Sequence, residues 1–167
     1  MVKVWQADIP EKSIVLDYLK PIDYSDSFKM KLPDTCYAGI DELSKELFDI
    51  TPSWVKGLMK LRNILVKPFG LKPGKGKHSG GDLKPKDRTG LFTVIKKTLN
   101  EIVMGEQDKH LDFCVSLYLE NEHDGRYITV TTIVKYNNWF GRFYFMFVRP
   151  FHKIIVPAGM KHNMERF

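Results

Sequence analysis

Glu106, Asp108, His110 and Asp112 alternate along the chain. In an extended strand all four side chains would leave from one face and could offer oxygen and nitrogen ligands to a divalent metal. The competing reading is a turn over Gly105 to Lys109, where acidic side chains are solvated or hydrogen-bond nearby backbone. The turn is preferred, so no metal and no other cofactor is expected. Asp108 or Asp112 would then bond backbone or pair with an arginine, Arg62 and Arg142 being the candidates. A second cluster is Arg142, Tyr144, Arg149 and His152, with Arg149 and His152 three residues apart and therefore neighbours on a helix surface. If that helix lines a cavity, His152 and Tyr144 could offer polar contacts or proton transfer to a ligand, with Asp112 as a further acid-base candidate. The bland alternative for a lone histidine beside apolar residues is a satisfied structural one. No serine sits in a nucleophile elbow and Cys114 has no activator visible in the sequence, which favours a binding module over an enzyme.

The element that must position the second cluster is the stretch Asn138 to Phe167, read as a long amphipathic C-terminal helix. Phe140, Tyr144, Phe147, Val148, Phe151, Ile154, Ile155 and Ala158 recur at spacings of three and four and predict its core-facing stripe. Pro150 and Pro157 each remove a backbone donor, predicting a bend near Pro150 and an early end or second bend near Pro157. The partner surface is a set of strands. Leu111 to Leu119 alternates Leu111, Phe113, Val115, Leu117 and Leu119 against Asp112, Cys114, Ser116 and Tyr118. Asp124-Gly125 supplies a hairpin turn, and Arg126 to Tyr136 returns with the β-branched residues that favour strands. Leu91 to Thr98 and Glu101 to Gly105 are further strands, and Ser27 to Leu32 is the first.

Upstream, Met1 to Pro21 reads as an arm with a turn of helix around Ser13 to Leu19. A short helix carries Ile40, Leu43 and Leu47, and a second begins at Thr51-Pro52 and buries Trp54, Val55, Leu58, Leu61 and Leu65 up to about Val66. Gly70 to Gly90 is rich in glycine, proline and lysine and reads as a long basic flexible loop rather than a phosphate cradle, because Gly74-Lys75-Gly76-Lys77 lacks the P-loop spacing. The order is strand, two short helices, loop, antiparallel strands and long helix, which is an α+β arrangement: an antiparallel sheet curved around the C-terminal helix.

Across 167 residues the net charge is +6, and much of that excess falls in the 70–90 loop. One domain over 1–167 is expected. No apolar run approaches the roughly 20 residues of a transmembrane helix and no signal-peptide pattern opens the chain, so the expectation is a soluble cytoplasmic protein. Nucleic acid is not the expected partner. Cys36 and Cys114 form neither a metal spacing nor a disulfide framework.

Thr51-Pro52-Ser53-Trp54-Val55 with Leu61-Arg62-Asn63, the segment Gly105 to Phe113, and Gly141-Arg142-Phe143-Tyr144 with Pro150-Phe151-His152 resemble an uncharacterised bacterial domain-of-unknown-function family, DUF2867. That family is in turn similar to the helix-grip superfamily of START lipid-transfer domains, polyketide cyclases and birch-pollen-allergen relatives. The resemblance implies a helix-grip, START-like fold over nearly the whole chain and a cavity between sheet and long helix. Fold does not fix function. The leading expectation is a small apolar or aromatic ligand in that cavity, lined by Trp54, Phe113, Val115, Val130, Thr132, Tyr144, Phe147 and Phe151. The alternatives are a cyclase- or isomerase-like enzyme using His152, Tyr144 and Asp112, and an interaction protein using the basic loop. Oligomeric state is not legible.

Overall fold

In the computed structural model the described residues are 3–49, 88–89 and 92–164. The expected helix over Thr51 to Val66, nearly all of the 70–90 loop, and with them Trp54 and Arg62, lie outside the described residues. Within them the chain is α+β, as expected. Seven strands form one antiparallel sheet in the order β1-β2-β7-β6-β5-β4-β3. The strands are β1 (Val4–Gln6), β2 (Tyr24–Lys31), β3 (Arg88–Thr89), β4 (Phe92–Lys97), β5 (Glu101–Gln107), β6 (Leu111–Glu122) and β7 (Gly125–Tyr136). Two α-helices accompany them, α1 (Ile40–Asp49) and α2 (Trp139–Met164).

The centre of the sheet is the β6–β7 hairpin, paired from Leu111↔Tyr136 to Glu122↔Gly125. His123 and Asp124 make its two-residue turn, and Gly125 closes it with φ +146°, a conformation that L side chains rarely adopt. A Cβ there would also meet Lys31 Cε at 2.6 Å. Alternation then assigns each residue to a face. Phe28, Met30, Ile102, Met104, Val115, Leu117, Leu119, Ile128 and Val130 share one core with Ile40 and Leu43 of α1 and with Met160 and Met164 of α2. Both helices therefore cover the same face. The opposite face buries Val103, Cys114 and Ile133 under Val15 and Leu19 of the N-terminal segment. Burial pushes the Cys114 thiol up to about 12, with the Asp112 charge adding to the effect. Cys114 is thus a packing residue.

The N-terminal segment is pinned to that second face by a buried acid. Ser13 caps a 3-10 turn over Ile14–Asp17, within the range where the sequence predicts a helical turn. Glu101, 1% exposed, accepts hydrogen bonds from Ser13 Oγ at 2.6 Å, from Ile14 N at 2.9 Å and from Ser116 Oγ. Three donors on one carboxylate are what a buried acid needs to offset its lost hydration. On the helix side, Arg126 donates to Cys36 O at 2.6 Å and to Ala38 O at 2.8 Å, fixing the approach to α1. Asn163 Nδ2 donates to Leu47 O at 3.2 Å and joins the end of α2 to α1.

Several expectations need correction. β1 is an additional edge strand, too short to show periodicity, and Arg88–Thr89 pairs with Phe92–Thr93 instead of belonging to the loop. The helix α2 runs through Pro150 and Pro157 to Met164, so it does not end early. Its sheet-facing side also differs from the expected stripe. Gly141, Phe145, Met160, Asn163 and Met164 are buried, whereas Phe147, Phe151 and Ile154 are exposed. The other residues of the expected stripe, Phe140, Tyr144, Val148, Ile155 and Ala158, are half-buried, because the helix has apolar residues on both sides.

Candidate functional site

Where α2 crosses β2, the apolar interface is interrupted by ionisable groups. Asp26 pairs with Thr132 across the β2–β7 ladder and shares the helix-covered face with Phe28 and Met30. It is buried, as is Thr132. Tyr24, two residues earlier on the same face, donates its hydroxyl to Asp26 Oδ2 at 2.6 Å. His152 of α2 faces the same carboxylate with Nδ1 3.6 Å from Oδ2, which is too long for a hydrogen bond. The Arg149 guanidinium, one turn earlier, lies over the Tyr24 ring at 5.2 Å. Phe145 closes the aromatic side, with its ring 4.8 Å from Tyr24 and 5.8 Å from Tyr136.

The electrostatics follow from burial. Tyr24 is held above its ordinary pKa by desolvation first and by its bond to Asp26 second, opposed by Arg149. It therefore remains a hydroxyl donor at any physiological pH. His152 is held below its ordinary value by burial, with Asp26 acting in the opposite direction. Its imidazole is thus neutral at neutral pH and lies beside a carboxylate. Asp26 Oδ1 and His152 Nδ1 make no hydrogen bond among the described residues. Two such atoms at one helix-sheet contact are unusual, because buried polar atoms in folded proteins are nearly always bonded.

A histidine whose folded pKa lies below its unfolded value binds fewer protons when folded. Its contribution to stability is then fully present above about pH 6.5 and is lost as pH falls towards the depressed folded value. The urea midpoint should accordingly drop between pH 7.5 and pH 5.5, and drop less in His152→Gln. Equal drops in the two proteins would show that His152 is not the group responsible.

A family model described as a protein of unknown function, DUF2867, matches residues 18–159, a span that contains Tyr24, Asp26, Arg149 and His152. The chain belongs to DUF2867. The matched span also includes Glu101, whereas Ser13 and Ile14 precede it. No curated protein and no solved structure matches the chain.

In this DUF2867 chain the site residues expected from sequence separate into distinct places. His152 and Thr132, the latter opposite Asp26 in the β2–β7 ladder, reach the buried cluster. Tyr144 lies eight residues earlier on α2, about 12 Å along the helix axis. Asp112 is on the other face of the sheet, in register with Lys135. The three acid-base candidates therefore do not converge. Val115 and Val130 are packed in the core and Phe113 stacks edge-on against Phe92 at 5.6 Å. Phe147 and Phe151 are on the outward side of α2, so they do not line the space between helix and sheet.

The alternating acidic run turns only over Asp108 to His110: Gly105 to Gln107, expected in the turn, continue β5, and Asp112 already belongs to β6. β5 ends at Gln107 and β6 starts at Leu111, and no group of His, Cys, Asp and Glu suited to a metal occurs among the described residues. Asp112 Oδ1 accepts from Asp108 N at 3.2 Å and from Asn137 Nδ2 at 2.9 Å. Asn137, and not Arg142, is its partner there. Asn138 caps α2 by accepting from Gly141 N at 2.9 Å, and its amide donates to Lys109 O at 3.0 Å. The segment Gly105 to Phe113 is thus a seat for the helix. Sequence reasoning missed Asp26 and Tyr24, although a signal exists: Asp26 falls on the same alternation phase as Phe28, Met30 and Leu32.

Proposed function

We propose that the protein binds a small apolar or aromatic molecule between sheet and α2, with Asp26 and His152 as its polar anchor. The observation that carries this reading is the pair of buried atoms Asp26 Oδ1 and His152 Nδ1, each without a hydrogen bond among the described residues. A carboxylate oxygen and an imidazole nitrogen side by side recognise a ligand bearing a hydroxyl or amide donor. Tyr24, Tyr136 and Phe145 are the aromatic side chains packed beside that pair. The antiparallel sheet under one long C-terminal helix supports the helix-grip likeness, and a single domain over 1–167 belongs to the same proposal.

Native mass spectrometry of the full chain from its own host, followed by denaturing extraction, should return a near-stoichiometric apolar or aromatic molecule with such a donor. Asp26→Asn should weaken rebinding about tenfold, as expected for loss of a hydrogen bond to a charged acceptor. An empty protein whose His152 and Tyr24 NMR signals stay unmoved by simple phenols and aromatic amides would overturn the reading.

A second reading is a cyclase- or isomerase-type enzyme, favoured by the neutral imidazole beside a carboxylate. Here His152 would accept a proton from bound substrate, and Asp26 would stabilise the imidazolium. Turnover of the extracted molecule that is abolished in His152→Gln while binding persists would select it. The third expectation, an interaction protein working through the basic loop, concerns residues outside those described.

A further inference from the structure

Six large apolar side chains project from one side of α2 towards solvent: Trp139 is 77% exposed, and Phe143, Met146, Phe147, Phe151 and Ile154 are between 47% and 64% exposed. Nine large hydrophobic residues are exposed among the described residues, so one helix face holds most of them. At 3.6 residues per turn they form one continuous arc opposite Phe145 and His152. The rings of Phe143 and Phe147 pack on each other at 5.0 Å, giving the arc a ridge. Isolated exposed apolar residues need no explanation, but a contiguous stripe marks a contact surface.

Charge identifies what makes the contact. Residues 139–164 contain Arg142, Arg149, Lys153 and Lys161 and no Asp or Glu. Arg142, Arg149 and Lys153 follow one another at helical spacings of seven and four, forming a row along one edge of the apolar arc. A second copy of the chain would set cationic edges against each other. The chain's own residues 50–87 carry nine Lys and Arg against two Asp and Glu and would meet the same repulsion. An anionic lipid surface accepts both features, taking the aromatic ridge into the headgroup boundary and the basic edge onto its phosphates. No helix among the described residues is long and apolar enough to cross a membrane, so the helix would lie in the plane of the surface.

We propose that the outward face of α2 docks the protein on anionic membrane surfaces. The apolar arc faces away from Asp26 and His152, so the proposal does not depend on the ligand reading; of its residues Arg149 alone also belongs to that site. The test is co-sedimentation of the full chain with vesicles of phosphatidylcholine plus phosphatidylserine, and with vesicles of phosphatidylcholine alone. Binding should occur with the mixed vesicles, be weak with the neutral ones, and fall steeply in about 0.5 M salt. The double variant Phe143→Ser/Phe147→Ser should lose it at least about tenfold while its far-UV spectrum and urea midpoint stay near those of the unaltered chain. Arg142→Glu/Lys153→Glu should lose it comparably. Three outcomes would overturn the proposal: no sedimentation with anionic vesicles at low salt; undiminished binding in the folded Phe143→Ser/Phe147→Ser variant, which would assign the effect to charge elsewhere in the chain; or a dimer that the same variant dissolves, which would make the face an interface between copies.

Discussion

Glu101→Ala should lower the unfolding free energy by about 4 kcal/mol, since each buried donor left without its acceptor costs roughly 1–3 kcal/mol. The donors are Ser13 Oγ, Ile14 N and Ser116 Oγ, all within the face that the N-terminal segment covers. Their loss should also free that segment, because Ser13 and Ile14 are bound to the sheet through this carboxylate. A drop in urea midpoint at unchanged slope would report the energetic part. Faster amide exchange at Ile14 and Val15 would report the local part. Glu101→Gln keeps an acceptor for Ile14 N and lets the serine hydroxyls rotate, so it should cost less than half as much. An alanine variant within about 1 kcal/mol of the unaltered protein would mean that the three donors find other partners cheaply.

Gly141→Ala tests the seat of α2 through the sign of its effect. Helix propensity alone predicts that alanine in place of a helical glycine stabilises, by about 1 kcal/mol in a helix interior and by less in the first turn, where Gly141 sits. The structure predicts the opposite, because a Cβ at Gly141 would fall 1.9 Å from His110 O and 2.7 Å from His110 C. Those are backbone atoms of a turn already held by Asn137 N donating to His110 O at 2.9 Å. They cannot swing aside as a flexible side chain would, so the start of α2 must lift off the turn. The expected loss is about 3 kcal/mol, at the upper end of overpacking costs. A stabilised variant would show that the turn yields instead.

The hairpin β6–β7 is legible because its alternation runs unbroken on both sides of Asp124-Gly125. The helix is legible because Phe, Tyr, Val and Ile recur at its period. Which side of that helix faces the sheet is not, since Phe145 and Phe147 are equally apolar and only the sheet decides between them. In the acidic run at 106–112, Asp108 and Asp112 hold a turn and His110 meets the Asn138 cap. The two acids that matter in the interior, Asp26 and Glu101, stand singly among neutral neighbours. Each sits on the buried phase of a strand, and that misplacement of charge is the readable trace. Their partners are far away in sequence: Ser13 lies 88 positions from Glu101, and no local pattern connects them.

The sheet order also bears on how the chain is made. β2 is hydrogen-bonded between β1 and β7, with Tyr24 opposite Val134 and Lys31 opposite Tyr127, a separation of about 100 residues. On the ribosome β2 therefore emerges long before its central partner and must wait, with Phe28 and Met30 uncovered, until β7 and then α2 have been synthesised. The β6–β7 hairpin can form locally as soon as it is released and so offers the template onto which the waiting strand docks. The early part of this polypeptide is accordingly the part that would engage holding chaperones during synthesis.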